Sequence, residues 1–236
     1  DLIPLTGEDV SNVDIKVPDV LPILPLRNTV LFPGVIIPIT VGRDKSIKLI
    51  KDHHKTSKIV GVVSQKDGNI EEPGIKDLNE IGTVAVILRM LRLPDGNTTV
   101  IIQGKKRFQI KEVVSTEPYI TARVSELKEN KIDKKDTELS ALLDSIKDTA
   151  NRFINLSPNI PSEATVALRN INDPIFLVHF ISSNLAVDLQ EKQRILETDN
   201  FKQRAERVLA LVIKDLQLLE MKTEIQNKAR LEIDKQ

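Results

Sequence analysis

Apolar residues, prolines and turn residues alternate most densely between Leu21 and Arg43, and this pattern predicts two short strands. The β-branched residues that dominate the stretch favour extended backbone. Four prolines exclude a helix, because each removes a backbone donor and clashes with the preceding turn. We expect strands at about residues 21–26 and 35–41, joined through a type II turn at Phe32-Pro33-Gly34-Val35. The simplest arrangement of these two strands is a β-hairpin that begins a hydrophobic core.

Further strand patterns follow a single amphipathic helix, which we place at about residues 44–55. Strands are predicted at Lys58–Ser64, Gly82–Leu93, Thr98–Gln103, Arg107–Val114 and Tyr119–Leu127, with a turn at Pro94–Asn97 between the second and third. Residues 1–19 are acidic and weakly patterned, so we interpret them as a flexible lead-in. Residues 20–128 therefore form a β-rich subdomain with a strongly bent, barrel-like sheet, and the fold class is α+β.

The hydrophobic period changes to that of helices after the charged segment Glu129–Lys135. We expect a helical subdomain over residues 129–197, with helices at about Asp136–Leu156, Glu163–Asn170, Ile175–Asn184 and 189–196, the last opened by a capping box of Asp188 and Glu191. A long helix follows over residues 198–236. Its first half carries apolar residues that should dock on the preceding helices: Phe201, Ala205, Val208, Leu209, Val212, Leu216 and Leu219. Beyond about Met221 it has too few apolar residues for a continuous buried face.

Composition narrows the function classes. The 236 residues contain 34 lysines and arginines and 34 aspartates and glutamates, so the formal net charge is zero and gives no general attraction to nucleic acid or acidic membranes. Cysteine is absent, which excludes disulfides and thiolate metal sites. We find no apolar run long enough to span a membrane. Because the chain begins with Asp1 and ends inside a helical pattern, we expect it to be part of a longer protein.

A search for catalytic motifs finds none. The glycines make no dinucleotide fingerprint or phosphate-binding loop, and no nucleophile elbow is present. His53, His54 and His179 lack metal-ligand spacing. We therefore expect no catalytic, cofactor-binding or metal site in this segment. The basic cluster Lys105-Lys106-Arg107 is interpreted as a solvated strand end, because a nucleic-acid surface would pair such residues with stacking aromatics.

The strand pattern from Ile87 to Leu93 is apolar on both faces. Strict alternation places Ile87, Arg89, Leu91 and Leu93 on one face and Leu88, Met90 and Arg92 on the other. One face covers the core, and the other is either exposed or buried under the helical subdomain. An exposed apolar patch would suit contact with unfolded polypeptide. The candidate polypeptide-binding residues are Leu31, Phe32, Met90, Leu91 and Leu93.

Four blocks, in order and at matching intervals, resemble the N-terminal domain of the bacterial Lon ATP-dependent protease family. They are LPILPLRNTVLFPGVIIPITVGRDKSIKLI from Leu21, EEPG from Glu71, IGTVAVILRMLRLPDG from Ile81 and QGKKRFQI from Gln103. The similarity is clear over residues 20–125 and looser in the helical remainder.

The resemblance implies a cytoplasmic quality-control protein that binds damaged, misfolded or unfolded proteins and assembles as a homohexamer. It also implies that an AAA+ module using ATP and Mg, and a serine peptidase, lie outside these residues. In that family a long helix leads from the N-terminal domain toward the ATPase ring. The alternative is a stand-alone binding module of the same β-rich fold for nucleic acid or a small ligand. A phosphate-binding loop in the continuation of the parent gene would distinguish the two.

Overall fold

The structure, a computed structural model, describes residues 14–234 and confirms the α+β class. The described residues form two compact units. The β-rich unit contains the chain up to Glu129 together with Asp188–Asp199, and the helical unit contains Asn130–Val187 and the chain from Asn200 onward. Most of the predicted lead-in, residues 1–13, lies outside the described residues. Asp14–Asp19 has no regular secondary structure.

The β-rich unit is built on a six-stranded mixed sheet, in which five strands close into a ring and the sixth lies at an edge. Its strands run in the order β2-β5-β4-β3-β1-β6, and β5 also pairs with β6, which closes the predicted barrel-like sheet. Helix α1 follows β2, and a short 3₁₀ turn at Ile75–Asp77 lies between β3 and β4. The bounds are β1 Val20–Leu26, β2 Ile36–Val41, α1 Asp44–His53, β3 Ile59–Ser64, β4 Ile81–Arg92, β5 Thr98–Ser115 and β6 Thr121–Glu126.

The predicted hairpin of the first two strands is wrong, although both strands and the turn are present. β1 pairs in parallel with β3 and in antiparallel with β6, whereas β2 pairs with β5. Gly34 has a φ of 82°, and the Val35 amide donates to the Phe32 oxygen at 3.2 Å, as the predicted type II turn requires. The turn is therefore local, but it separates two strands that find distant partners.

β5 is one strand of 18 residues where the sequence pattern predicted two. A register shift opposite Val84 and Ala85 leaves Lys105 as an extra residue, so the strand bends without ending. Gly104 lies just before this bulge, and a Cβ there would approach the Phe32 oxygen to 2.3 Å. Gly104 also exchanges two backbone hydrogen bonds with the turn, to Gly34 and Val35. Glycine is thus required where the turn packs directly on β5.

The helical unit is formed by four helices: α2 Thr137–Leu156, α3 Glu163–Arg169, α4 Pro174–Asn184 and α6 Phe201–Ile233. Side chains of Asp136, Asp173 and Asn200 accept amide hydrogen bonds at the starts of α2, α4 and α6. Such caps satisfy amides that the helix itself leaves unpaired. The sequence pattern therefore located these helix starts to within one residue.

Helix α6 packs on α2 and α4 through its first half. Of the residues predicted to dock, Phe201, Ala205, Val208, Val212 and Leu216 are buried, and Leu209 and Leu219 are half-buried. The buried His179 of α4 lies 3.0 Å through its Nε2 from Nη1 of Arg204, which is also buried. Because a guanidinium can only donate, this imidazole accepts at Nε2 and carries its proton on Nδ1. From Met221 to Asp234 every described side chain except that of Thr223 is exposed.

Helix α5, Leu189–Glu197, belongs to the β-rich unit, whereas the sequence pattern grouped it with residues 129–197. Its predicted capping box is wrong: Asp188 makes no side-chain cap, and Glu191 instead pairs with Arg194 at 2.5 Å. Gln193 Nε2 donates to the Ile81 oxygen of β4 at 2.9 Å. Side-chain contacts to β4 and β5, which helical periodicity does not reveal, therefore decide where α5 lies.

Arg107 on β5 makes the main polar contact with helix α5. Its buried guanidinium donates to the Leu196 oxygen at 3.0 Å, to Glu129 Oε1 at 3.0 Å and to Asp199 Oδ1 at 3.1 Å. Leu196 lies in the last turn of α5, where helix carbonyls have no partner within the helix and a cation is favourable. One side chain therefore satisfies the end of α5 and neutralises two carboxylates.

Replacing Arg107 with methionine keeps most of the buried volume but removes all three hydrogen bonds. We expect the free energy of unfolding in urea to fall by about 2 kcal/mol or more, because a buried carbonyl is left unsatisfied. Relative to the unmodified protein, the variant should show faster amide hydrogen exchange in α5 and little change in β3. Arg123→Met is the matched control, since Arg123 is an exposed arginine of the same sheet. If the amide exchange rates of α5 are unchanged in the Arg107 variant, Arg107 does not hold α5 on the sheet.

The packing of α6 predicts a gradient of hydrogen exchange along the helix. Amides from Val208 to Leu216 lie on the docked half, and we expect them to exchange at least about tenfold more slowly than those from Lys222 to Ile233. The second half has local ion pairs such as Lys228–Glu224, worth only a few tenths of a kcal/mol. Uniform protection to Ile233 in dilute protein would show that tertiary docking is not what stabilises the helix.

Candidate functional site

Strand β2, the first half of β5 and the second half of β4 form a three-stranded section with two distinct faces. The pairing register places three rows of side chains on one side, which we call the outer face: Ile36, Gln103 and Val86; Pro38, Ile101 and Arg89; Thr40, Thr99 and Leu91. The opposite side carries the buried residues Val41, Ile87, Val100 and Ile102. The outer face is therefore a largely apolar surface whose opposite side belongs to the core.

A bulge in β4 enlarges this surface. The register shifts between Ile87 and Arg89, which leaves Leu88 without an opposite residue on β5. Leu88, Leu91 and Leu93 expose 42, 37 and 41 % of their areas. Strict alternation had placed Ile87 on the same face as Leu91, and this is wrong because the extra residue reverses the alternation. Ile87 points into the core instead and is 2 % exposed.

Two of the predicted binding residues lie in the core. Leu31 and Phe32 are 2 % and 0 % exposed, and the hydroxyl of Thr83 on β4 donates to the Leu31 oxygen at 2.6 Å. The prediction that these side chains form an apolar surface is wrong. The turn that carries them folds against β4 and β5, as its contacts with Thr83 and Gly104 indicate, and thereby buries both side chains.

The other three predicted binding residues, Met90, Leu91 and Leu93, do not all lie on the same face of β4. Met90 lies opposite the buried Val100 and is itself half-buried, whereas Leu91 and Leu93 are exposed. Sequence analysis missed Ile36, Pro38, Leu88 and Ile101. The alternation of side chains along each strand could be read from the sequence. That these residues share one surface with Leu91 follows only from the pairing of β2 with β5 and from the bulge.

The basic cluster does not form a continuous patch. Arg107 is buried, and Lys106 Nζ pairs with Asp14 at 2.9 Å and Glu126 at 3.3 Å. The hydrogen bonds that Lys106 donates to both carboxylates, the one to Asp14 first, raise its pKa despite partial burial. Burial lowers the pKa of Lys105. The interpretation of this cluster as a solvated strand end is therefore wrong for Arg107.

His53, the last residue of α1, belongs to a hydrogen-bonded chain with Tyr119 and Asp52. Tyr119 donates its hydroxyl proton to Asp52 Oδ2 at 3.0 Å, so His53 Nε2, 3.1 Å away, must be the donor to the tyrosine oxygen. Burial lowers the pKa of His53, with Asp52 opposing that shift. Within residues 14–234, no group of three or more potential ligands could hold a metal ion. Over the same range, no helix is long and apolar enough to cross a membrane.

Two solved structures share this architecture, an N-terminal domain of a Lon protease and a Lon N-terminal domain protein. The domain from the Mycobacterium avium complex superposes with a TM-score of 0.68 at 20 % identity, covering 82 % of this chain and 97 % of that structure. The domain from Xanthomonas campestris gives a TM-score of 0.59 at 20 % identity and covers 81 % and 97 %. At this identity the likeness establishes the fold.

The family is established by sequence. Residues 20–214 match the model of the ATP-dependent protease La (LON) substrate-binding domain, and the chain therefore belongs to this family. It is 53 % identical to the Lon protease of Flavobacterium johnsoniae over 235 residues and 50 % identical to that of Cytophaga hutchinsonii over 238 residues. These alignments cover 100 % of this chain but only 28 % and 29 % of the relatives, so the chain spans less than a third of their length.

Burial separates the predicted binding residues into two groups that respond differently to charge. We expect Phe32→Lys to prevent folding, because an unpaired ammonium cannot be accommodated in the core. Leu91→Lys should change the free energy of unfolding by no more than about 1 kcal/mol, since its side chain already reaches solvent. Circular dichroism and urea titration measure both effects. A stable Phe32→Lys variant, or an unfolded Leu91→Lys variant, would contradict the assignment of faces.

Proposed function

We propose that this chain is the non-catalytic substrate-recognition region of a Lon-type ATP-dependent protease, and that it holds damaged, misfolded or unfolded polypeptide on the outer face. The observation that carries the proposal is the exposure of Leu88, Leu91 and Leu93 beside the row Pro38, Ile101 and Arg89. Folded proteins rarely leave a contiguous apolar patch without a partner. An unfolded chain supplies the apolar side chains that such a patch contacts.

The side-chain composition of the outer face suits varied sequences. Its backbone is held in a three-stranded ladder, so the surface is rigid, and its side chains are mainly aliphatic rather than arranged as one deep pocket. Aliphatic contact is non-directional and proportional to the apolar area buried. Arg89 and Gln103 add polar groups that can pair with backbone carbonyls of the bound chain. The expected binding is broad in sequence range and weak for each segment.

The remaining parts of the proposal concern the parent protein. An AAA+ module using ATP and Mg and a serine peptidase would follow this region, in a cytoplasmic homohexamer that this region helps to assemble. Helix α6 would then act as a spacer that leads from the recognition region toward the ATPase ring. The long exposed half of α6, with Leu218, Met221 and Ile225 unburied, is compatible with contacts to neighbouring subunits.

The alternative of a nucleic-acid module receives less support from the structure. Such a surface would need free cations beside stacking aromatics. Arg107 is buried in the tie to α5, Lys106 is paired with two carboxylates, and the outer face carries no aromatic residue.

Binding of a permanently unfolded protein tests the proposal. We expect the double variant Leu88→Lys and Leu91→Lys to weaken binding of reduced, carboxymethylated α-lactalbumin by about tenfold, because two charges enter an apolar contact worth about 1.4 kcal/mol or more. Fluorescence anisotropy with labelled lactalbumin gives the dissociation constant. The circular dichroism spectrum should be unchanged.

The control variant is Val114→Lys, which places a charge on an exposed apolar residue at the other end of β5. Binding by this variant should match that of the unmodified chain. If the double variant and the control bind unfolded lactalbumin with equal affinity, the outer face is not the binding surface.

A further inference from the structure

A cleft of about 710 Å³ opens in the β-rich unit between β1 and β2. β6 pairs only with Val20–Pro22 of β1, so the half of β1 from Leu24 onward pairs with β3 alone, and β2 pairs with β5 alone in the described part of the sheet. Each strand thus presents one unpaired edge to the cleft. The volume lies within the range of about 300–1,000 Å³ that is usual for ligand sites.

Prolines prevent both edges from extending the sheet. Ile23 donates its amide to Ile120 on the β6 side, and alternation directs Pro25, which has no amide proton, to that same side. Gly104 donates to the Val35 oxygen, so Pro38 on β2 faces away from β5 and lacks a donor there. Prolines at such positions block strand pairing. An occupant of the cleft must therefore be held by side-chain contacts rather than by a β-ladder.

Two arginines supply those contacts. Arg27 and Arg43 line the cleft together with the half-buried or exposed apolar residues Pro25, Pro38 and Ile39. Arg27 donates to the backbone oxygen of Glu71 at 3.4 Å, and Arg43 donates to Gln65 Oε1. Neither arginine forms an ion pair with any carboxylate in residues 14–234. Burial, and secondly the charge of Arg27, lower the pKa of Arg43.

Gln65 makes Arg43 a positioned group. Its side chain is fully buried, and its Nε2 donates to the backbone oxygens of Asp67 and Ile70 at 3.0 Å each. These bonds fix the amide so that Oε1 faces Arg43. Asp44, Glu71 and Glu72 lie on the exposed rim, and none of them contributes to the pKa shift of Arg43. The cleft therefore holds two arginines that form no ion pair with a carboxylate of residues 14–234, beside three exposed carboxylates and apolar side chains.

We infer that the cleft binds an acidic side chain of an extended polypeptide substrate, with the carboxylate on Arg27 and Arg43 and the flanking apolar residues against Pro25, Pro38 and Ile39. This inference rests on the proposed function, because a polypeptide held on the outer face supplies the segment. An internal Asp or Glu is the occupant to which we commit, since an unfolded chain presents many internal segments and only one chain end. Charge-assisted bonds of guanidinium to carboxylate are strong and directional.

Three ten-residue peptides, acetylated and amidated, test this assignment. They share an apolar sequence and carry Glu, Gln or Lys at one central position. We expect the Glu peptide to bind about tenfold more tightly than the Gln peptide and the Lys peptide to bind most weakly, as one charge-assisted contact of about 1.4 kcal/mol predicts. The preference for Glu should diminish as salt increases. Fluorescence anisotropy measures all three affinities.

Variants of Arg27 and Arg43 then test whether these two arginines cause the preference for the Glu peptide over the Gln peptide. Arg27→Gln with Arg43→Gln should reduce the Glu-over-Gln ratio to about one, while Arg27→Lys with Arg43→Lys retains part of it, because lysine keeps the charge but not the bidentate geometry. Arg123→Gln, at an exposed arginine of β6, is the matched control and should retain the full ratio. Gln65→Leu should lower the ratio by releasing Arg43, without abolishing it.

The same variants separate this inference from the proposed function. Binding of unfolded lactalbumin depends on Leu88 and Leu91, and the arginine variants should leave most of it intact. Equal loss of the Glu and Gln peptides in the arginine variants would overturn the carboxylate assignment and leave the proposed function standing. A preference that appears only with a free peptide carboxyl terminus would overturn the choice of an internal acidic residue.

Discussion

The β-rich unit depends on the bent pairing of β5, because this single strand contacts β2, β4 and β6 along its length. The extra residue at Lys105 lets the first half pair with β2 while the second half closes the sheet against β6. Gly104 admits the Phe32 turn immediately before that bend. A straight β5 could not pair with both β2 and β6. Without the pairing of β2, the outer face and the cleft would both be lost.

Proline and bulge positions then decide which parts of the sheet remain available for binding. Pro38 occupies an outer-face row while its missing donor blocks the free edge of β2, so one residue serves an apolar surface and protects against unwanted strand addition. The bulge at Leu88 adds an exposed leucine beside Leu91 and turns Ile87 into the core. The same backbone irregularities that shape the barrel thus create its exposed apolar surface.

Arginines illustrate how one residue type acquires different roles from its surroundings. Arg107 has a helix carbonyl and two carboxylates around a buried guanidinium, so its charge is used to hold α5. Arg43 has a neutral amide partner and a like-charged neighbour, so its charge remains available to an anion. Nothing in the local sequence GRDK or KKRF distinguishes these two environments, because both place an arginine beside other charged residues.

Local pattern by itself determined the strand positions apart from the continuity of β5, the starts of α2, α4 and α6, the type II turn and the α+β class, because periodicity, proline geometry and caps depend on neighbouring residues. The family resemblance was likewise readable from blocks of residues. Tertiary structure alone decided that β1 and β2 do not pair, that Leu31 and Phe32 are core, that α5 lies on the β-rich unit and that Ile36, Ile101 and Leu91 share one face. Each of these depends on contacts between residues far apart in the chain, and an apolar side chain in sequence looks the same whether a distant strand covers it or leaves it exposed.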